Sequence, residues 1–501
     1  MKAVQYEIFS LEIRSKNKLC KELLVLFNSF TFLIFLPIVF TLYWFVFQRN
    51  LKLQNAFILV VSYVFYGWWD WRFLGLIAFS SLVDYLVGLK LGEENDQKRR
   101  NILLGISLGL NLGLLGLFKY FNFFIDSTIQ LLNSVGFMAN PYSLQLILPV
   151  GISFYTFQTM SYTIDIYKRQ IEPTKDPIDF FAFVSFFPQL VAGPIERASN
   201  LLPQFFAKRN FTYEKGKLGM ELILWGLFKK VVIADNCALV VNQIFERVDD
   251  ASSIELLLGM FLFSFQIYGD FSGYSDIAIG VGSLLGFTLM TNFKTPYFSV
   301  DIVDFWRRWH ISLSTWFRDY VYIPLGGSKI NLNITFRNIF LVFLVSGFWH
   351  GANWTFVFWG AIHSILFIFV IWNYQRSSEA KLQKTGFFYK KITPFLSGLL
   401  TFVIVTIAWI FFRSTTLQGA FQYLSNIWIN FDIPSSLRLA YQVPVFFVLL
   451  MMVMEWRGKD KNSVFEVRSL NLKYSLYFVF FLSILFYGAF VDSHQFIYFQ
   501  F

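Results

Sequence analysis

Two histidines lie in otherwise apolar parts of this chain of 501 residues, and they are its first candidates for chemistry. His350 stands between the apolar runs 338–345 and 355–372, so it should lie at or near membrane depth. An ionisable side chain at that depth is costly and usually has a function. Apolar surroundings keep an imidazole neutral, which is the form that a general base needs. The alternative is a neutral histidine with a structural role only.

The second histidine, His310, lies within residues 304–320, which are dense in charged and aromatic side chains. At 100° per residue, Trp306, Trp309 and Leu313 share one face of a helix. The pattern predicts one amphipathic helix at the membrane interface rather than a crossing. For His310 the alternative is a packing residue with a satisfied hydrogen bond.

Three arginines of the same stretch, Arg307, Arg308 and Arg318, are spread around the rest of that helix. Arginines at an interface bind lipid phosphates, so anchoring to membrane lipids is one interpretation. The other is that they bind the phosphates of a substrate or cofactor, because a planar guanidinium group can bind a phosphate through two hydrogen bonds. The sequence leaves both interpretations open.

A third polar stretch, residues 266–276, interrupts an apolar run with two acids, two serines and two glycines. The pattern predicts a broken helix that lines a polar cavity. Asp270 or Asp276 would then orient a histidine or pair with an arginine. The alternative is that Ser275 or Asp276 caps a following helix.

Motifs of several other mechanisms are absent from the sequence. It has no Gly-x-x-x-x-Gly-Lys-Ser/Thr phosphate loop, no His-Glu-x-x-His metal motif and no Gly-x-Ser-x-Gly elbow. Its two cysteines, Cys20 and Cys237, give no zinc-binding spacing. We therefore expect no metal and a base-assisted direct transfer, which needs a histidine and an oriented donor.

The composition is that of an integral membrane protein. Hydrophobic residues make up 56% of the chain and charged residues 15%, against about 25% charged residues in an average soluble domain. The net charge of +10 comes from Lys and Arg in short loops between apolar runs, as the positive-inside rule describes, so we expect no nucleic-acid binding. Loops 49–52 and 98–100 are separated by two apolar segments and should both be cytoplasmic.

These segments predict an all-α polytopic membrane protein with about ten to twelve transmembrane helices plus re-entrant or interfacial helices. Residues 1–25 are expected to be an N-terminal extension outside the core, and residues 26–501 one membrane domain. Gly105, Gly109 and Gly113 recur every four residues, which predicts a face for close helix packing.

Five stretches together resemble the membrane-bound O-acyltransferase superfamily, and within it the bacterial branch that O-acetylates alginate and other exopolysaccharides. They are residues 148–155, 187–195, 270–276, 306–314 and 349–351. The resemblance implies a ring of membrane helices around a central funnel. It also implies that His350 is the catalytic residue and His310 a second conserved polar residue.

The same resemblance implies a reaction. The donor would be a cytoplasmic thioester, acetyl-CoA, and the acetyl group would leave outward across the bacterial inner membrane. An exported SGNH-type acetyltransferase would be the partner and a polysaccharide the final acceptor. On this hypothesis His350 takes the proton of an acceptor hydroxyl, His310 positions that acceptor or stabilises developing charge, and the arginines bind the donor's phosphates.

Three rival functions stay open at this point. One is D-alanyl transfer to teichoic acid from a carrier-protein thioester. Another is a transporter of acyl groups or polysaccharide that does no chemistry. The third is a structural scaffold for a polysaccharide synthase complex.

Overall fold

The computed structural model describes residues 27–138, 144, 146–191, 193–377, 393–430 and 439–490, and the expected extension 1–25 lies outside them. The described residues form α-helices and no β-strand. The α-helices are α1 Phe30–Thr41, α2 Leu51–Gly67, α3 Arg72–Glu93, α4 Gln97–Leu115, α5 Phe121–Ser134, α6 Ile152–Tyr167, α7 Pro177–Ser185, α8 Phe187–Leu190, α9 Ala198–Leu201, α10 Pro203–Phe206, α11 Tyr213–Leu227, α12 Asp235–Phe245, α13 Ser253–Leu284, α14 Ile302–Arg308, α15 Ile311–Phe317, α16 Leu332–His350, α17 Trp354–Ser377, α18 Thr393–Arg413, α19 Leu417–Ile429, α20 Leu439–Gly458 and α21 Leu470–Tyr487.

Four short π-helical turns extend or join these helices. They are Leu42–Val46 after α1, Gly116–Tyr120 between α4 and α5, Phe228–Ala234 between α11 and α12, and Arg318–Tyr322 after α15. Such turns insert extra residues into a helix and are frequent at functional sites. Two of them, Phe228–Ala234 and Arg318–Tyr322, adjoin the polar stretches 266–276 and 304–320.

Seven of the described helical segments are long and apolar enough to cross a membrane: α3, the continuous α4–α5 segment, α13, α16, α17, α18 and α21. The described part also has three shorter apolar segments, Phe30–Val46, Leu51–Gly67 and Pro177–Leu190. The chain is therefore a multi-pass membrane protein, and the expected all-α polytopic class is confirmed.

Helix α13 is the buried centre of the second half of the chain. It begins at Ser252, whose hydroxyl accepts from the Glu255 amide while the Glu255 carboxylate accepts from the Ser252 amide, a reciprocal capping box. It then runs unbroken through residues 266–276, so the predicted helix break there is wrong. The irregular backbone belongs to the neighbouring π turn, Phe228–Ala234.

Glycines make the contact between α11 and α13 close. A Cβ on Gly226 would lie 2.5 Å from the Gly273 carbonyl oxygen, and one on Gly219 would lie 2.7 Å from the Gly280 carbonyl oxygen. The predicted stripe of residues 105, 109 and 113 behaves differently, because an added Cβ at each position meets nothing within 4 Å in the described part of the chain. No described helix packs on that stripe, and its role in helix packing stays a prediction.

Candidate functional site

His350 is the last residue of α16, at the turn where α16 and α17 form a tight hairpin. A Cβ on Gly347 would lie 2.3 Å from the Phe356 carbonyl oxygen, and one on Gly360 would lie 2.4 Å from the Phe343 carbonyl oxygen. Real Cβ atoms do not approach a carbonyl this closely, so only glycine permits the two helices to pack here. This packing fixes the backbone on which His350 stands.

The His350 side chain is buried among aromatic rings. Its ring centroid lies 5.1 Å from that of Trp349, 5.3 Å from that of Trp359 and 5.5 Å from that of Phe412. Only 2% of the residue is exposed. Water is largely excluded from this imidazole, and charge that develops near it is weakly screened.

His310 is fully buried in the short link between α14 and α15. Its φ is +42°, in the left-handed region. The single helix predicted over residues 304–320 is therefore wrong, since the structure has two seven-residue helices that meet at this histidine. Trp309 and Leu313 are each 1% exposed, so the predicted apolar face packs into the protein core.

The helix breaks because a neighbouring segment takes over its backbone hydrogen bonds. The Ile311 amide donates to the Asn292 carbonyl (2.9 Å), and the Lys294 amide donates to the Arg308 carbonyl (3.0 Å). Both bonds join the stretch 304–320 to the non-helical segment 292–294 instead of closing a turn of a helix. His310 is turned out of helical register as a result.

The fold brings the two histidines together, although they are 40 positions apart in the sequence. Their imidazole centroids are 6.3 Å apart. Helix α13 contributes a ring to the same place, because Phe271 meets His310 edge-on at 4.6 Å between centroids. The two imidazoles therefore belong to one buried site.

Asn292 holds the His310 ring and was not singled out by the sequence. Its Oδ1 lies 3.2 Å from His310 Nδ1 and accepts a hydrogen bond from Ser312 Oγ at 2.6 Å. Its Nδ2 donates to Ser275 Oγ at 3.1 Å. Ser275, which the sequence offered as a helix cap, therefore supports the histidine site through Asn292.

This network selects one tautomer of His310. Ser312 Oγ accepts from the Ile195 amide (3.0 Å) and donates its proton to Asn292 Oδ1, so that oxygen is an acceptor. His310 Nδ1 must then carry the proton that it shares with Asn292. Nε2 presents a lone pair, and it has no hydrogen-bond partner among the described residues.

The segment that carries Asn292 is itself anchored. Two residues earlier, the Met290 amide donates to Glu196 Oε1 at 2.5 Å, and Asn200 donates to the other carboxylate oxygen at 2.7 Å. Burial raises the pKa of Glu196 to about 7. The loop before α9 thus positions Asn292 from a second side.

A cavity of about 780 Å³ lies next to the histidines. Ile311, which follows His310, and Ser346, one turn before His350, both line it. Its other lining side chains include the polar residues Ser314, Thr315, Ser328, Asn331, Thr335 and Gln375. The volume is in the range of cavities that bind small molecules and cofactors.

The three candidate arginines are placed differently. Arg307 and Arg318 line the cavity, whereas Arg308 Nε donates to Asp304 Oδ1 at 2.9 Å and does not line it. Arg318 also donates to Asp319 Oδ1 at 2.7 Å. Two of the three therefore offer guanidinium groups to a ligand in the cavity.

The acids of the third polar stretch pair with lysines. Asp276 binds Lys229 Nζ at 2.7 Å. Lys230 Nζ lies 2.7 Å from both Asp270 and Asp235. The expected pairing with a histidine or an arginine is thus replaced by ion pairs between α13 and the lysines of the π turn Phe228–Ala234.

No group of three or more His, Cys, Asp and Glu side chains that could hold a metal occurs among the described residues. His363, the other histidine in that part of the chain, accepts a hydrogen bond from Trp306 Nε1 at 3.2 Å and is packed between aromatic rings. The site therefore consists of His310, His350, Asn292 and the adjoining cavity.

Comparison with known proteins shows the family of this chain. Over 397 residues the chain is 42% identical to a Pseudomonas putida protein described as a probable alginate O-acetylase AlgI, and the match covers 78% of each chain. The chain belongs to the membrane-bound O-acyltransferase family. The family model matches residues 167–412, which include both histidines and Asn292.

Other members of this family match over much of their length. A Helicobacter pylori peptidoglycan O-acetyltransferase is 38% identical over 432 residues, covering 80% of each chain. A Streptococcus thermophilus teichoic acid D-alanyltransferase is 28% identical over 299 residues, covering 56% of this chain and 70% of its own. The chain is therefore an O-acyltransferase of the alginate and exopolysaccharide branch of this family.

Proposed function

We propose that this protein transfers an acetyl group from a cytoplasmic acetyl-CoA thioester for O-acetylation of an exopolysaccharide such as alginate. One observation carries the proposal: two buried imidazoles lie 6.3 Å apart, and Ile311 and Ser346, which are close to them in the chain, line a cavity together with two arginines. The names of the Pseudomonas and Helicobacter relatives specify O-acetylation, which supports acetyl as the transferred group.

His350 acts as the general base in this proposal. An acceptor hydroxyl gives its proton to the His350 imidazole as its oxygen attacks the thioester carbonyl. The tetrahedral intermediate then collapses, the carbon–sulfur bond breaks, and the CoA thiolate takes the proton back from His350. The products are the acetyl ester and free CoA, and the imidazole is neutral again.

His310 positions the acceptor. With Nδ1 protonated against Asn292, its Nε2 can accept a hydrogen bond from a second hydroxyl of the acceptor, since the attacking hydroxyl gives its one proton to His350, but Nε2 cannot donate a hydrogen bond to an oxyanion. Of the two roles expected for His310, the hydrogen bonding therefore favours positioning over charge stabilisation. Such orientation of the acceptor accounts for a large part of the barrier reduction in transfer reactions.

Arg307 and Arg318 bind the phosphates of the donor. Both line the cavity next to the histidines, and guanidinium–phosphate hydrogen bonds are among the strong charge-assisted kind. Contacts tie this region to the basic loop 98–100, because Arg100 donates to the Tyr167 carbonyl (2.7 Å) and Lys168 to the Asp319 carbonyl (3.4 Å). Since such loops are cytoplasmic, the donor enters from the cytoplasm.

The acetyl group leaves on the opposite side in this proposal. An exported SGNH-type acetyltransferase would receive it and pass it to the polysaccharide. The protein would lie in the bacterial inner membrane, where cytoplasmic acetyl-CoA and an exported partner are both within reach.

Turnover of labelled acetyl-CoA in proteoliposomes, with and without the exported partner and a polysaccharide acceptor, tests the proposal. We expect His350→Ala to lower turnover by about 10²-fold or more, the usual contribution of a general base. A folded His350→Ala protein that transfers acetyl at the parental rate would refute the mechanism, and a parent that moves acyl groups or polysaccharide without acetyl-CoA turnover would favour a transporter. Turnover with a D-alanyl carrier-protein thioester, but not with acetyl-CoA, would favour D-alanyl transfer.

A further inference from the structure

Lys119 is a cation in the middle of a membrane-spanning segment. It lies in the π-helical turn Gly116–Tyr120, within the continuous span Gln97–Ser134. A lysine at membrane depth is costly, and near a helix end it normally extends its ammonium group toward water. Here the side chain is partly buried, and the ammonium group instead reaches another helix.

The Lys119 ammonium group binds the end of helix α16. Its Nζ donates to the Trp349 carbonyl at 2.8 Å and to the His350 carbonyl at 3.1 Å. It also lies 5.8 Å from the centroid of the Trp349 ring, within cation–π range. No ion pair joins it to a carboxylate in the part of the chain that the structure describes.

These two carbonyls are the ones that a helix leaves without a partner. The last four carbonyls of a helix have no amide within the helix to bind, and they carry the negative end of its dipole. In an apolar setting a carbonyl without a hydrogen-bond partner is strongly destabilising. The ammonium group satisfies two of them and places positive charge where the dipole favours it.

The rest of the α4–α5 segment docks on the same turn. The Tyr120 ring stacks on Phe348 with centroids 4.2 Å apart, and Phe123 lies 5.5 Å from Phe348 and 5.4 Å from Trp354. The segment therefore contacts the residues on both sides of His350. Lys119 is the member of this contact that binds the His350 backbone itself.

We propose that Lys119 is the positioning residue of His350, holding the end of α16 so that the imidazole keeps its reactive orientation. The inference rests on the proposed function, because it assigns His350 the chemical step. Lys119 acts through the backbone and does not touch the reacting atoms. A displacement of about 1 Å at a reacting group can lower a rate about 100-fold, so loss of this anchor should act on kcat.

The test compares Lys119→Met and Lys119→Arg in the full-length protein with labelled acetyl-CoA in proteoliposomes. Methionine keeps the length of the side chain but has no N–H group, so we expect kcat to fall at least about tenfold while KM for acetyl-CoA stays within about twofold. Arginine keeps donors and charge, and we expect it to restore most of kcat. Lys98→Met, an exposed lysine at the start of the same span, is the matched control and should behave as the parent.

A second measurement follows the chemical reactivity of His350 in the absence of turnover. Mass spectrometry follows the modification of His350 by diethyl pyrocarbonate, and we expect its rate to change in Lys119→Met and to return toward the parental rate in Lys119→Arg. If Lys119→Met is not recovered in folded form, Lys119→Gln, which keeps N–H donors but no charge, takes its place with a smaller expected loss of kcat.

The outcomes separate this inference from the proposed function. A parent without acetyl-CoA turnover overturns the proposed function. An active parent and an inactive His350→Ala, together with a folded Lys119→Met of parental kcat and parental His350 modification, overturn the role of Lys119 alone. Equal loss of kcat in Lys119→Met and Lys119→Arg also overturns it, because the donors and charge would then not matter.

Discussion

At the scale of single residues, His310 and His350 are held by different means. His350 ends a regular helix, and its place depends on glycines in the hairpin behind it. His310 adopts a left-handed backbone conformation; the Asn292 side chain contacts its ring, and the Asn292 carbonyl accepts from the amide of the next residue, Ile311. Substitutions at the two positions should therefore differ in their effect on stability.

A comparison of His310→Asn with His310→Ala tests this difference. Asparagine tolerates the left-handed region, whereas for most L-residues it costs roughly 1–2 kcal/mol. Both variants remove the Nε2 lone pair, so we expect both to lower acetyl-CoA turnover strongly. Thermal unfolding in detergent should show His310→Asn to be the more stable of the two. Equal melting temperatures would contradict a backbone constraint at this position.

The arginines give a second prediction at this scale. Arg307 lines the cavity, while Arg308 is paired with Asp304 outside it. We expect Arg307→Gln to raise KM for acetyl-CoA about tenfold, the loss of one charge-assisted hydrogen bond of about 1.4 kcal/mol or more. Arg308→Gln is the matched control and should leave KM unchanged. An equal rise of KM in both variants would place the donor elsewhere.

The sequence could identify some of these residues and not others. His350 and His310 stand out because an ionisable side chain in an apolar run is rare. Asn292 carries no such signal, since an asparagine in a polar loop is common. Lys119 does carry it, as a lysine within an apolar span, but the sequence does not show which atoms it binds. Their roles arise from contacts with segments 18 and 231 positions away, which no local pattern encodes.

At the scale of helices, two local patterns led to wrong predictions for related reasons. Residues 266–276 look like a break, yet α13 is continuous because lysines of the neighbouring π turn pair with its acids. Residues 304–320 look like one amphipathic helix, yet the segment 292–294 binds its backbone and splits it. In both cases tertiary partners decide the outcome that periodicity alone leaves open.

The hairpin of α16 and α17 yields a prediction about glycines. In Gly347→Ala the new methyl group would lie 2.3 Å from the Phe356 carbonyl, so the helices must separate. We expect a loss of stability of about 1–3 kcal/mol and a fall in turnover as His350 moves. Turnover and thermal unfolding of the purified variant measure both effects.

Gly105→Ala is the control for that experiment. It makes the same substitution in a helix where the added methyl group meets no described neighbour, so stability and turnover should not fall. If Gly347→Ala were equally harmless, the close approach at the hairpin would not be needed to place His350.

At the scale of the whole molecule, composition sufficed to predict the class. A chain with 56% hydrophobic residues and 15% charged ones must place most of its surface in lipid, and helices satisfy their own backbone there. The order of the segments could be predicted from hydropathy for the same reason. Which segments meet could not, because nearly all of them are apolar and offer many equivalent packing partners.

The orientation of the molecule in the membrane can be tested from its contacts and loops. The cavity proposed for the donor lies on the side of loop 98–100, since contacts link that loop through Tyr167 and Lys168 to Asp319, next to Arg318. The span Gln97–Ser134 begins at this loop and ends on the other side. If the loop is cytoplasmic, the cavity mouth is cytoplasmic and Ser134 is not.

Cysteine labelling decides the orientation. In a background with Cys20→Ser and Cys237→Ala, we expect Lys98→Cys and Ser328→Cys, the latter at an exposed cavity-lining position, to react with an impermeant maleimide in inverted vesicles only. Ser134→Cys should react only in right-side-out vesicles. Acetyl-CoA should slow the labelling of Ser328→Cys and leave Lys98→Cys unaffected, because only the former lies in the proposed donor cavity. Labelling of Ser328→Cys from outside would place the cavity on the wrong side for a cytoplasmic thioester, and the direction of acetyl transfer proposed here would have to be reversed.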